Sequence, residues 1–210
     1  MKSIYAIIGL AAITLAGCKS EIAQYSGTAG VYFAMNAGAT SAGTDTMYLE
    51  TSTLPFIITG STDSTFKLLV KIMGPVSSHA RHVRVEVDPQ QTTAVPEDYE
   101  PLSDYYTLPA GEVYAAVPIK FYRRASLQGA ERTLTVRLVA NNDFALPIKM
   151  WRNSSTESVS VVSHSIVISD KYVQLPGYSV GYFGPFSEKK MKLLLEIFDM
   201  QLSDFNQRLS

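Results

Sequence analysis

The chain has 210 residues, 46% apolar and 18% charged, with a formal net charge of −1. That suits one domain with an appendage, supports a real hydrophobic core, and lacks the basic excess of a nucleic-acid binder. One cysteine and three histidines exclude a disulfide framework and leave little material for a metal cluster.

The N-terminus reads as an export signal. Lys2 precedes an uncharged apolar stretch from Ile4 to Leu15, the length of a signal-peptide core and too short to span a bilayer comfortably. Leu15-Ala16-Gly17-Cys18 then matches the bacterial lipoprotein box. In that pathway the Cys18 thiol is diacylated, residues 1–17 are removed, and the new N-terminus is acylated. An ordinary signal peptide with a chance cysteine, or a short membrane anchor, is the alternative. The box, its distance from Met1 and the absence of a second cysteine favour lipidation at Cys18. Several acyl chains hold firmly, since each buried CH₂ contributes about 0.8 kcal/mol. Removing Lys2 takes the net charge from −1 to −2. No second long apolar run follows, so the expected state is anchored to a membrane rather than spanning it. Residues 18–30, small and polar, read as a flexible tether.

The segment 31–171 reads as β. Arg81–Val87 alternates cleanly, with Val83, Val85 and Val87 on one face and His82, Arg84 and Glu86 on the other. Val113–Phe121, Arg132–Ala140 and Phe66–Met73 repeat the pattern, which marks strands with one buried face. Val31–Met35, Leu54–Thr59, Tyr105–Leu108 and Ser158–Ser169 are further strands, giving about eight. Turns such as Gly74-Pro75 and Asp88-Pro89 join them, and no helical pattern intervenes. The expected fold is therefore mainly β: an antiparallel immunoglobulin-like β-sandwich with a C-terminal α-helix. Pro118 cannot donate to a ladder, so its strand should be an edge or carry a bulge.

Residues 172–186 form a Gly-rich aromatic linker containing Tyr178, Tyr182, Phe183 and Phe186. Such rings stack on sugars or dock a helix onto a sheet, and these four are the candidate ligand or partner contacts. Ser187 is an N-cap for a helix over 187–208. Met191, Leu194, Leu195, Phe198, Leu202 and Phe205 recur at helical spacing. Leu193, Ile197 and Met200 form a second apolar line, so the polar arc is narrow. Either the sandwich and linker cover both lines, or a partner protein covers the second.

Three pieces together resemble a known family: the lipoprotein box, the stretch Thr93-Ala94-Val95-Pro96-Glu97-Asp98-Tyr99 followed by Leu108-Pro109-Ala110-Gly111-Glu112, and the segment from Gly181 to Lys190 that opens the last helix. The chain resembles the Bacteroidetes lipoproteins of the domain of unknown function 4843 family. The middle stretch is also similar to Calx-beta repeats. The resemblance implies an accessory lipoprotein beside starch-utilisation-type outer-membrane transporter pairs, with no catalytic residues to carry over. It implies outer-membrane localisation, facing either the periplasm or the cell surface. Lys19-Ser20-Glu21 carries one acid where surface export in these bacteria favours several. Calx-beta relatives bind calcium through acidic loops. Here Glu97, Asp98, Glu100 and Asp104 are close in sequence, but calcium needs six to eight converging oxygens, which one loop does not demonstrate. The plainer reading has Asp98 and Tyr99 hydrogen-bonded within a turn, and no metal site is assigned. Asp45-Thr46-Met47 and Asp63-Ser64-Thr65 are similar to the Bacteroidetes O-glycosylation pattern, which would put Thr46 and Ser64 in exposed loops.

Catalytic signatures are thin. His79 and His82 lack an HExxH context, and there is no G-x-S-x-G elbow, phosphate loop or Cys–His pair. The sequence therefore points to a non-catalytic protein without a cofactor. Its partners would be the membrane through the lipid, an outer-membrane transporter or that transporter's lipoprotein partner, and a glycan; nucleic acid is excluded. A structural or adhesion module without a small ligand is the alternative.

Overall fold

The computed structural model describes residues 28–39, 46–175 and 177–209. Cys18, the leader and most of the tether lie outside the described residues, so the expectations placed on them have no structural counterpart here.

Twelve strands occur among the described residues: β1 (Gly30–Phe33), β2 (Asn36–Ala39), β3 (Thr46–Tyr48), β4 (Thr51–Pro55), β5 (Asp63–Met73), β6 (Arg81–Val87), β7 (Tyr106–Leu108), β8 (Tyr114–Tyr122), β9 (Arg132–Val139), β10 (Met150–Arg152), β11 (Ser158–Ser160) and β12 (Ser163–Ser169). One sheet has the order β1-β5-β8 and the other β4-β12-β9-β6-β7, and two hairpins, β2-β3 and β10-β11, flank them. The inner faces meet as the alternation dictates. Leu68, Val70 and Ile72 of β5 and Val117, Ile119 and Phe121 of β8 pack with Val83, Val85, Leu134, Val136, Ile166 and Ile168 opposite. All other ladder pairs are antiparallel, but β4 runs parallel to β12. Pro118 sits on β8, an edge strand of its sheet, where a missing amide hydrogen costs no ladder bond.

The structure corrects several expectations. The run Leu54–Thr59 is not one strand. Pro55 ends β4, and Phe56–Thr59 forms a single helical turn, α1, closed by Gly60 at φ 66°. The run Ser158–Ser169 is two strands, interrupted at Val161 and Val162, whose carbonyls turn to two different strands. The Phe33 amide donates to the Val161 carbonyl at 2.7 Å and the Leu138 amide to that of Val162 at 2.8 Å. β2, β3 and β10 are too short to show a period. Ser64 lies within β5, half-buried opposite Phe121, rather than in an exposed loop, and Thr46 is the first residue of β3. The helix expected over 187–208 is also divided, as described below.

Buried polar groups tie the layers together. His164, fully buried on β12, contacts the Leu49 carbonyl through Nδ1 and the Ser52 hydroxyl through Nε2, each at 3.0 Å. This bridges the parallel pair. Burial outweighs the favourable carbonyl contact and lowers the imidazolium pKa to about 4. Asp98, also fully buried, accepts from the Val95 amide at 2.9 Å and pairs with Arg132 at 2.7 Å. The Glu97 carbonyl accepts two bonds from Arg124, and the Glu100 amide donates to the Lys120 carbonyl. The acidic stretch is thus stitched onto β8 and β9 as a structural turn. On the outer face of β1, Tyr32 lies parallel to Trp151 at 6.4 Å and edge-on to Tyr48. Burial, then the hydrogen bond shared with Tyr48, pushes the Tyr32 hydroxyl pKa well up.

The His164 pKa sets an acid limit on stability. Between pH 6.5 and about 4 the unfolded chain takes up a proton that folded His164 refuses, so stability falls with pH across that window and the loss is complete below it. The window corresponds to about 3 kcal/mol. Denaturant unfolding from pH 8 to pH 4 is expected to show a shallower acid slope for His164→Gln than for the wild type. Equal slopes would refute the assignment.

Candidate functional site

The C-terminal segment forms a separate helical cap. The linker contributes one helical turn, α2 (Val180–Phe183), followed by α3 (Glu188–Phe198) and α4 (Leu202–Leu209). Ser187 caps α3 by accepting from the Lys190 amide at 3.2 Å. The division after Phe198 has a local cause. Asp199 adopts a left-handed conformation at φ 49°, with its amide donating to Glu196 and that of Met200 to Leu195 at 3.0 Å, a Schellman-type stop. The chain turns and α4 begins, so Leu202 and Phe205 reach the same small core as Met191 and Leu195.

That core is distinct from the sandwich core. Leu175, Tyr178, Met191, Leu195, Leu202 and Phe205 form it, and α1 supplies Ile57 and Ile58 from the sandwich side. Polar contacts seal the seam. Asp170, buried at the end of β12, forms a two-point ion pair with Arg123, at 2.9 Å to Nε and 2.8 Å to Nη2. Lys192 pairs with Glu188 at 2.8 Å and lies over the Tyr172 ring.

The four aromatic candidates separate by environment. Tyr178 is buried, packs against Phe183 and Phe186, and donates its hydroxyl to the Gly184 carbonyl at 3.1 Å. Phe183 and Phe186 are half-buried against the same core. Tyr182 alone projects, 90% exposed. Three of the four rings therefore dock the cap. The second apolar line of the sequence is covered only at Met200, which packs on the cap core; Leu193 is 52% and Ile197 65% exposed, and Phe198 of the first line is 51% exposed beside them. Beside it lies a groove of about 190 Å³ lined by Phe183, Phe198, Met200, Phe205 and Arg208. The surface suits association with an apolar segment and offers no paired acid, base or nucleophile. Sequence periodicity identified the line; the groove depends on the turn at Asp199, which periodicity does not encode.

Elsewhere a cleft of about 380 Å³ runs between Arg84–Val87 and Leu102–Asp104, where Arg84 and Glu86 pair with each other at 2.8 Å. Glu97, Glu100 and Asp104 do not converge on Asp98, and no metal-binding group of three or more His, Cys, Asp or Glu occurs among the described residues. His82 lies at the surface beside Asp143 and Tyr105. No described helix is long and apolar enough to cross a membrane.

The chain belongs to the family of domain of unknown function 4843, whose profile matches residues 25–200. No curated protein matches it. Among solved structures it is similar to a protein from Bacteroides ovatus ATCC 8483 described as a candidate carbohydrate binder, with a TM-score of 0.44 and 12% identity over 68% of this chain and 37% of that one. It is similar to the apo-form Calx CBD1 domain, with a TM-score of 0.44 and 12% identity over 70% of this chain and all of that one. CBD12 from CALX1.2 follows at 0.42 and 12%, over 66% and 44%. These are distant likenesses of fold, and the chain spans little more than a third of the first structure's length.

Two substitutions probe the cap. Asp199→Gly removes the cost of a left-handed non-glycine residue and is expected to raise stability by about 1 kcal/mol; an unchanged or lower melting temperature would argue against the turn. Tyr178→Ala is expected to cost about 3 kcal/mol by emptying the small core, while Tyr182→Ala stays within about 0.5 kcal/mol. Equal losses in calorimetry would contradict the division of roles.

Proposed function

We propose that this protein is a non-catalytic envelope lipoprotein, acylated at Cys18, that docks on another envelope protein through its C-terminal cap. The observation that carries the reading is the exposure of Leu193, Ile197 and Phe198, all on α3, beside an apolar groove. Exposed apolar surface gathered on one element, rather than scattered, marks an association site. The family resemblance supplies the setting: an accessory component of an outer-membrane nutrient-uptake system, with the lipid in the outer membrane. Docking accounts for the aromatic linker better than glycan stacking does, because Tyr178, Phe183 and Phe186 are engaged with the cap core and only Tyr182 stands clear.

An affinity pull-down from detergent-solubilised envelopes tests this. Tagged full-length protein is expected to retain an outer-membrane protein, a transporter component by preference. The double variant Leu193→Glu, Ile197→Glu should lose it while keeping its melting temperature, since both positions face solvent. Equal retention by both forms, or by neither, would reject the docking role.

A further inference from the structure

We propose that the cap groove receives an apolar segment bearing a carboxylate, presented by a partner protein on the side of the domain away from the anchoring bilayer. This rests on the docking reading above and adds the chemistry and direction of the partner.

Charge supplies the chemistry. Arg208 stands at the rim of a groove whose floor is Phe183, Phe198, Met200 and Phe205. Among the described residues no acid pairs with it, and the residue is exposed. The nearby cations are engaged: the Lys190 ammonium donates to the carbonyls of Phe183 and Pro185 at 3.0 and 2.7 Å, and Lys192 pairs with Glu188. A guanidinium beside an apolar floor suits an apolar side chain followed by a carboxylate, which it binds in two-point geometry. Arg208 also complements the dipole in the last turn of α4, a role that lysine would fill equally well.

Topology supplies the direction. Gly30, where the tether enters, pairs with Met73 at the end of β5; α1, on which the cap sits, immediately precedes Asp63 at its start. Ten residues of strand separate these ends, roughly 33 Å. Eleven residues lie between Cys18 and Gly30. A chain of that length reaches at most about 40 Å. Bringing the cap to the anchoring bilayer would require inverting the domain on a nearly straight tether. The groove therefore opens toward a partner distal to that membrane.

The test replaces Ile197 with photo-reactive p-benzoylphenylalanine in the full-length chain, in the native host, and maps the adduct by mass spectrometry. The expected adduct is with an envelope protein, in a segment of apolar residues containing Asp or Glu. Arg208→Glu should lower its yield about tenfold and Arg208→Lys less, with melting unchanged in both. An adduct with lipid, with a second copy of this chain or with a segment lacking acids overturns the inference, as does no adduct or a yield indifferent to Arg208→Glu. The two readings fail separately. A lipid adduct, or indifference to Arg208, leaves docking intact if the pull-down depends on Leu193 and Ile197. Loss of both adduct and pull-down removes docking itself.

Discussion

Two hydrophobic cores meet at one helical turn, and the architecture depends on how that turn divides its side chains. Pro55 has no amide hydrogen to extend β4, so the chain leaves the ladder there. Phe56 then drops fully buried into the sandwich, while Ile57 and Ile58 turn outward and form the floor for the cap. Each buried side chain of this size contributes about 1.5–3 kcal/mol. Without the turn, the cap would have no apolar seat on the domain. The Asp170–Arg123 pair closes the same seam from the other side. Its geometry fixes orientation more than it adds stability, since desolvating two charges offsets much of their attraction.

Most of the sandwich was legible because its strands bury one face. Arg81–Val87 matches β6 residue for residue, since Val83 and Val85 face the core and Arg84 faces water. The failures share a cause. β10 is three residues long and buries mainly Trp151, too little for a period to appear. In Leu54–Thr59 the apolar residues serve two cores in succession, which looks like one continuous strand. At Asp199 the helical period survives the break, because Leu202 and Phe205 return to the same core after the turn. Aspartate's tolerance of the left-handed region was the available signal.

At the candidate site, the sequence revealed two apolar lines but not which residues of each are covered: Met200 of the second packs inward while Phe198 of the first is left exposed. That is decided by the position of α1, a tertiary fact. The aromatic linker carried two readings, and the structure assigns Tyr178, Phe183 and Phe186 to packing. The buried polar residues were harder to anticipate. The turn bond expected of Asp98 is present at the Val95 amide, but its burial and its pairing with Arg132, thirty-four positions away, were not legible. His164 falls on a strand of alternating serines and aliphatics, and only the neighbouring β4 explains it.

Gly30 and the cap lie at opposite ends of β5, and this determines how the domain bears load. Tension between Gly30 and the cap runs along the strands rather than across them. β1 lies antiparallel to β5 over four register pairs, and the Val31 and Phe33 amides bond to Ala145 and Val161 on its other side. Pulled from Gly30, these bonds are sheared together instead of opening one by one. Pro147 stands within 2.6 Å of where a Gly30 side chain would begin, so the entry point is also wedged. A domain built this way resists a pull along the strand axis better than one across it.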